Sequence, residues 1–154
     1  MIYLGFDPGG SGGFAVVDER GDYVHAQKYG DLTERDIWDA VKEFTLGGDV
    51  GLVMCEAVHS MPKQGVASSF KFGASYGFLR GILAASAVPY EFVSPQKWQT
   101  KLGCRTGGDK NKSKAAAQQR HPGNKITHAT ADALLIAEYA RRVYQETHDL
   151  KEIA

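Results

Sequence analysis

Two apolar runs in this chain stop on a carboxylate: Ile2 to Phe6 ends at Asp7, and Leu52 to Cys55 ends at Glu56. The second run is purely apolar and reads as a strand covered on both faces. Between the two runs, the loop of Gly9, Gly10, Gly12 and Gly13 leads into a strand from Gly13 to Val17. The turn "DERGD" then opens a third strand from Tyr23 to Tyr29, giving an antiparallel meander. "DLTERDIWDAVKEF" follows, with Thr33 as N-cap, Asp36 three residues on, and Ile37, Val41 and Phe44 at helical spacing, which predicts a helix over 34–46. A crossover helix makes the strand ending at Glu56 parallel to the first. If those strands are neighbours, Asp7 and Glu56 leave the same sheet edge, the usual place for a site in an α/β sheet.

The remaining pattern is helical. From Gly65 to Ala87 the chain reads as one long helix, on which Ser69, Gly73, Gly77, Gly81 and Ala85 recur every four residues along a single line. Glycine inside a helix costs about 1 kcal/mol relative to alanine, so this line implies close packing, either on the protein's own sheet or against a second subunit. Tyr90 to Val93 reads as a short strand, Pro95 to Lys101 as a short helix, Gly103 to Asn111 as a polar loop, "KSKAAAQQR" as a helix ending before Pro122, and 126–144 as the last helix, with a frayed tail. One domain over residues 1–154 is the expected organisation. No apolar run approaches the ~20 residues of a membrane span and no secretory signal is visible, which predicts a cytoplasmic protein without a membrane partner. Cys55 and Cys104 have no metal-ligand spacing and fit reduced thiols, Cys55 in the core.

On the last helix, a turn of 100° per residue puts His128, Ala129, Asp132, Ala133, Ile136, Tyr139, Ala140 and Val143 on one half of the wheel. Glu138, Arg141, Arg142 and Gln145 fall opposite. Asp132 thus lies inside the apolar face, where an unpaired carboxylate costs several kcal/mol or takes up a proton. Asp7, Glu56 and Asp132 gathered at one edge would repel one another unless divalent cations sat between them. Hard oxygen donors favour Mg²⁺ or Mn²⁺, and two such ions about 4 Å apart suit displacement at a phosphodiester. The glycine loop beside Asp7 would then leave room for a phosphate.

The chain has no net formal charge, but Gln96 to Lys125 carries Lys97, Lys101, Arg105, Lys110, Lys112, Lys114, Arg120 and Lys125 against the single acid Asp109. A local excess of this size in a neutral protein points to contact with a polyanion.

Four stretches in order, "LGFDPGGSGGFAVVD", "VMCEAVHSMPKQGVASSFKFGASYGFLRGIL", "VSPQKWQTKLG" with "KNKSKAAAQ", and "HATADALLIAEYA", span nearly the whole chain. Together they resemble the RuvC family of Holliday junction resolvases among the RNase H-like nucleases, its phage-type members in particular. The resemblance implies an α/β fold with a mixed five-stranded sheet of order 3-2-1-4-5 flanked by helices. It also implies Mg²⁺-dependent endonucleolytic hydrolysis of DNA at branch points, with two ions for which Mn²⁺ can substitute, by a homodimer that cuts two strands symmetrically.

Carried over by position, the metal-binding acids are Asp7, Glu56 and Asp132, and Lys112 matches a lysine that approaches the scissile phosphate. Lys63, Lys97, Lys101, Arg105, Lys110 and Lys114 are the further phosphate contacts expected. The family has another acid three residues before the last, where this chain has Ala129; His128, four before, takes its place as a fourth ligand. Where the family often has an aromatic that stacks at the junction, this chain has His59, with Met61 in the same loop as an apolar wedge. Trp98 stands where the family has a lysine and reads as core. The rival readings are an RNA-processing nuclease of the same fold, as in the YqgF type, and a non-catalytic junction-binding protein; an actin-like phosphotransferase would need a second lobe.

Overall fold

A computed structural model describes residues 1–58 and 65–152. His59, Met61 and Lys63, expected to meet the nucleic acid, lie outside the described residues. The chain order is β1 (Ile2–Asp7), β2 (Gly13–Asp18), β3 (Tyr23–Lys28), α1 (Glu34–Thr45), β4 (Val50–Glu56), α2 (Val66–Ala85), β5 (Tyr90–Val93), α3 (Pro95–Lys101), α4 (Lys110–Arg120) and α5 (His128–Glu152). The five strands form one sheet in the order β3-β2-β1-β4-β5. β1 pairs antiparallel with β2, β2 antiparallel with β3, β1 parallel with β4, and β4 parallel with β5. This is the mixed sheet expected, and it has the RNase H-like topology.

Period-two alternation splits the core between the two faces. Leu4, Phe6, Phe14, Val16, Val53 and Cys55 point to the side of α1 and α2, where Ile37, Val41, Leu79, Ile82 and Leu83 meet them. Tyr3, Ala15, Val17, Leu52 and Met54 point to the other side, onto Trp98, Ala117 and the apolar face of α5. α5 lies directly on β1 because residue 5 is glycine: a Cβ there would run into the Ala133 carbonyl and the Ala137 amide. Burial pushes the Cys55 thiol up to about 12, so it is an inert part of the core. No helix of the described residues is long and apolar enough to cross a membrane.

Local signals set the helix starts. Thr33 and Asp36 form a reciprocal capping box on α1. Ser94 caps α3 ahead of Pro95 at its first position. The Asp109 side chain accepts from the Asn111 amide at 2.9 Å, so α4 begins at Lys110 and takes in residues expected to be loop.

Two further readings need correction. α5 runs on to Glu152, past the frayed tail expected from 145. Glu138, placed by the wheel on the solvent side, is only 5% exposed. It accepts from Arg141 at 2.7 Å and Arg142 at 2.7 Å, while Arg141 and Gln145 reach back to the Glu19 carbonyl. The β2–β3 turn thus covers a helix face that amphipathicity alone assigns to water. Burial works to raise the Glu138 carboxyl, but the two guanidinium partners outweigh it and hold it below its ordinary value.

The line of small residues on α2 also resolves. Only Leu79, Ile82 and Leu83 are buried on that helix. A Cβ at Gly73, Gly77 or Gly81 would meet nothing within 4 Å among the described residues. The line therefore faces away from the sheet. Val66 and Phe70, 88% and 80% exposed, lie on the same helix.

Candidate metal and phosphate site

The alternation that sorts the core also aims the acids. Along β1, Tyr3 and Gly5 face α5, so Asp7 does too; along β4, Leu52 and Met54 face α5, so Glu56 does too. The parallel register pairs Phe6 with Cys55, which sets the next residues, Asp7 and Glu56, side by side at the carboxyl ends of neighbouring strands. α5 brings the third acid over them, since Ala133 rests on Gly5 and Ala129 on Gly13, opposite Asp7 in the β1–β2 ladder.

The three carboxyls act on one another electrostatically. Asp7, 7% exposed, has its carboxyl pushed up to about 8, first by burial and then by the charges of Asp132 and Glu56. Burial also raises the Glu56 carboxyl and the Asp132 charge adds to this, while a hydrogen bond from Trp98 works the other way. Asp7 Oδ2 and Asp132 Oδ1 are buried without a hydrogen-bond partner among the described residues. The Asp7 turn leaves no room beside it: a Cβ at residue 12 would strike the Asp7 carbonyl, and Gly9 sits at φ +105°.

Two orphaned carboxylate oxygens beside a third acid are the donor chemistry a hard divalent cation takes. Among the described residues, however, no group of three or more His, Cys, Asp and Glu side chains is arranged to hold a metal ion. What the three acids share is a charge field.

The cation beside the acids is a lysine. Lys110 Nζ lies 4.0 Å from Asp132 Oδ2, and its charge works to lower the carboxyls of Asp7 and Glu56. Lys112, expected at the scissile phosphate, is on the exposed face of α4. The helix explains the difference: Ser113 and Ala117 are the buried residues of α4, Lys110 shares their side, and Lys112 is about 200° away from Lys110. The clue in the sequence is Asp109, whose capping fixes where the helix begins and so which lysine turns inward.

His128, expected as a fourth ligand, lies at the start of α5, one turn before Asp132. It is exposed, and its ring Nε2 bonds Asn111 Oδ1 at 3.0 Å. Trp98, by contrast, is fully buried, as core, and also reaches the site: its indole Nε1–H donates to Glu56 Oε2 at 2.8 Å. The signal for that bond was available, because a buried indole N–H needs an acceptor.

The other basic residues form a second region. Lys97, Lys101 and Arg105 line an open depression of about 680 Å³ with Tyr139 and Glu146. Those α5 residues lie 7 and 14 positions beyond Asp132, roughly 10 and 21 Å along the helix axis. Lys101 there already pairs with Glu146 at 2.6 Å. Lys114 is partly buried on α4.

No protein-family model matches the chain, and no curated protein does. Among solved structures the fold is that of the RuvC nucleases. The Thermus thermophilus RuvC structure aligns with a TM-score of 0.64 at 17% identity over 97% of both chains. T. thermophilus RuvC in complex with Holliday junction substrate aligns with a TM-score of 0.63 at 17% identity over 96% of both.

Proposed function

We propose that this chain is a divalent-metal-dependent endonuclease of the RuvC type, phage-like in kind, that hydrolyses phosphodiesters at four-way and other branched DNA junctions as a homodimer. The observation that carries the reading is that Asp7 and Asp132 each bury a carboxylate oxygen without a partner among the described residues, in one charge field with Glu56. A fold shared with a protein solved on a Holliday junction supports the choice of substrate.

Asp7, Glu56 and Asp132 would hold Mg²⁺, with Mn²⁺ able to substitute; His128, whose Nε2 is bonded to Asn111, would join them through Nδ1. When bound, a pair of such ions activates water and stabilises the leaving oxygen of the phosphodiester. The chain's own groups do the rest. The bare backbone of Gly10, where a Cβ would meet nothing within 4 Å among the described residues, leaves room for a phosphate at the loop after Asp7, and Lys110 balances charge between the acids and that phosphate. Lys112, Lys114, Lys97, Lys101 and Arg105 bind backbone phosphates farther out, so affinity falls steeply with salt and depends on shape more than on sequence. Lys63 and His59, with Met61, follow Glu56 in the sequence and are assigned to the branch itself.

The homodimer rests on α2. Its outward line of Gly73, Gly77 and Gly81 with exposed Val66 and Phe70 is an apolar surface that a second helix can approach closely. An end-labelled four-way DNA junction, the matching linear duplex and a structured RNA, each incubated in Mg²⁺, test the function. Paired symmetric cuts in the junction alone are expected. Preferential cutting of the RNA would turn the assignment to the RNA-processing branch of this fold, and binding without cutting would leave a junction-binding protein.

A further inference from the structure

The Trp98 indole joins α3 to the end of β4. Its Nε1–H donates to Glu56 Oε2 at 2.8 Å across 42 residues of sequence, and the ring is fully buried. Nothing about the ring is loose. It sits in the core cluster with Val93, Leu102, Ala117 and residues of α5, and its helix is pinned at its start by the Ser94 cap and Pro95. Glu56, by contrast, is the last residue of its strand, and its carboxylate has no other hydrogen-bond or ion-pair partner among the described residues. A terminal carboxylate with free χ angles samples several orientations, and one fixed donor selects among them.

We infer that Trp98 is a positioning residue for Glu56: its N–H engages Oε2 and so turns Oε1 toward Asp7 and Asp132. This rests on the reading of Glu56 as a metal ligand. The indole is suited to the task because it is a donor only and carries no charge. It fixes the carboxylate without competing for it as a cation would, whereas Lys110 beside Asp132 is exposed and charged. Being buried, Trp98 touches no DNA; its loss therefore acts on turnover and metal affinity, not on junction binding.

The test replaces Trp98 by its benzothiophene isostere, β-(3-benzothienyl)alanine, which keeps the ring system and puts sulfur where the N–H was. Trp98→Phe serves as a second variant. Mn²⁺ binding is measured by calorimetry on wild type, both variants and Glu56→Gln, alongside junction binding in Ca²⁺ and melting in EDTA. The inference expects Mn²⁺ affinity to fall ten- to hundredfold in the isostere, with kcat for junction cleavage falling and KM unchanged. Folding and junction affinity should stay at wild-type values.

Wild-type Mn²⁺ affinity in the isostere, in a protein where Glu56→Gln does weaken binding, overturns the role of Trp98 and leaves the metal site standing. If Glu56→Gln binds Mn²⁺ as wild type does, the metal reading of Glu56 fails and the inference with it. A readout independent of variants at position 98 is the Trp98 indole N–H resonance, identified by elimination in Trp38→Phe. It should be protected from exchange in Mg²⁺ and lose that protection in Glu56→Ala; an indole already unprotected in wild type contradicts the inference.

Discussion

Lys110 Nζ sits 4.0 Å from Asp132 Oδ2, the one ion pair that any of the three clustered acids makes among the described residues. A flexible ammonium at the mouth of an acidic site can balance the carboxylates and then follow a phosphate. Its neighbour Lys112, two residues on, faces solvent. Lys110→Ala should therefore lower kcat by about a hundredfold, the cost typical of one lost electrostatic stabiliser. Lys112→Ala should leave kcat nearly intact, raise KM a few-fold, and reduce the slope of log affinity against log salt by about one. Steady-state kinetics on a four-way junction, with binding measured at several salt concentrations, separates the two residues.

Asp7 gives a pH dependence whose sign is fixed. Burial first, and then the charges of Asp132 and Glu56, raise its carboxyl to about 8, whereas in the unfolded chain it titrates near 3.9. The folded state thus binds the proton more tightly, its contribution to stability is complete below about pH 4, and it is lost as the pH rises toward 8. In EDTA the wild-type melting temperature should fall between pH 5 and pH 8. Asp7→Asn, which removes the buried charge, should melt about 5 °C higher at pH 8 and show a flatter profile. Calorimetric melting across that range is the check.

The parts of the site that could be read from the sequence are those that strand alternation and helix periodicity control. An acid at the end of an apolar strand has its face set by the residues before it, so Asp7 and Glu56 were legible, and Asp132 followed from its place among Ala129, Ala133 and Ile136. What was not legible depends on contacts between elements. Lys110 and Lys112 differ only in rotation about α4, which the Asp109 cap and packing on α5 decide. His128 bonds Asn111, a partner 17 residues earlier, and Glu138 was buried by a turn 119 residues before it. The glycine line on α2 was visible as a line, but not the direction in which it points.

That direction yields a clean experiment. Nothing among the described residues lies within 4 Å of a Cβ at residue 77, so Gly77→Glu leaves their fold undisturbed and even favours the helix. A charge there is incompatible with close approach of a second apolar helix. Light scattering should give twice the 16.8 kDa chain mass for wild type and a single chain mass for Gly77→Glu, with far-ultraviolet circular dichroism unchanged. A wild-type monomer at micromolar concentration would count against paired incision.

Residue 5 behaves in the opposite way. One methyl group at that position collides with the backbone of α5 at Ala133 and Ala137, neither of which can yield without lifting the helix that carries Asp132. Gly5→Ala should cost at least about 3 kcal/mol, at the severe end of single substitutions. Denaturant titration measures it, and a loss under 1 kcal/mol would mean that α5 does not rest on β1 as described.

The most direct test of the account as a whole is single-turnover cleavage of a labelled four-way junction in Mg²⁺ by wild type and Asp7→Asn, with junction affinity measured on the same samples in Ca²⁺. Wild type should cut two strands symmetrically, and Asp7→Asn should bind the junction as tightly while cutting at less than a thousandth of the rate. A variant that binds and cuts like wild type would contradict the assignment of Asp7 and its two acidic neighbours as the centre of the chemistry.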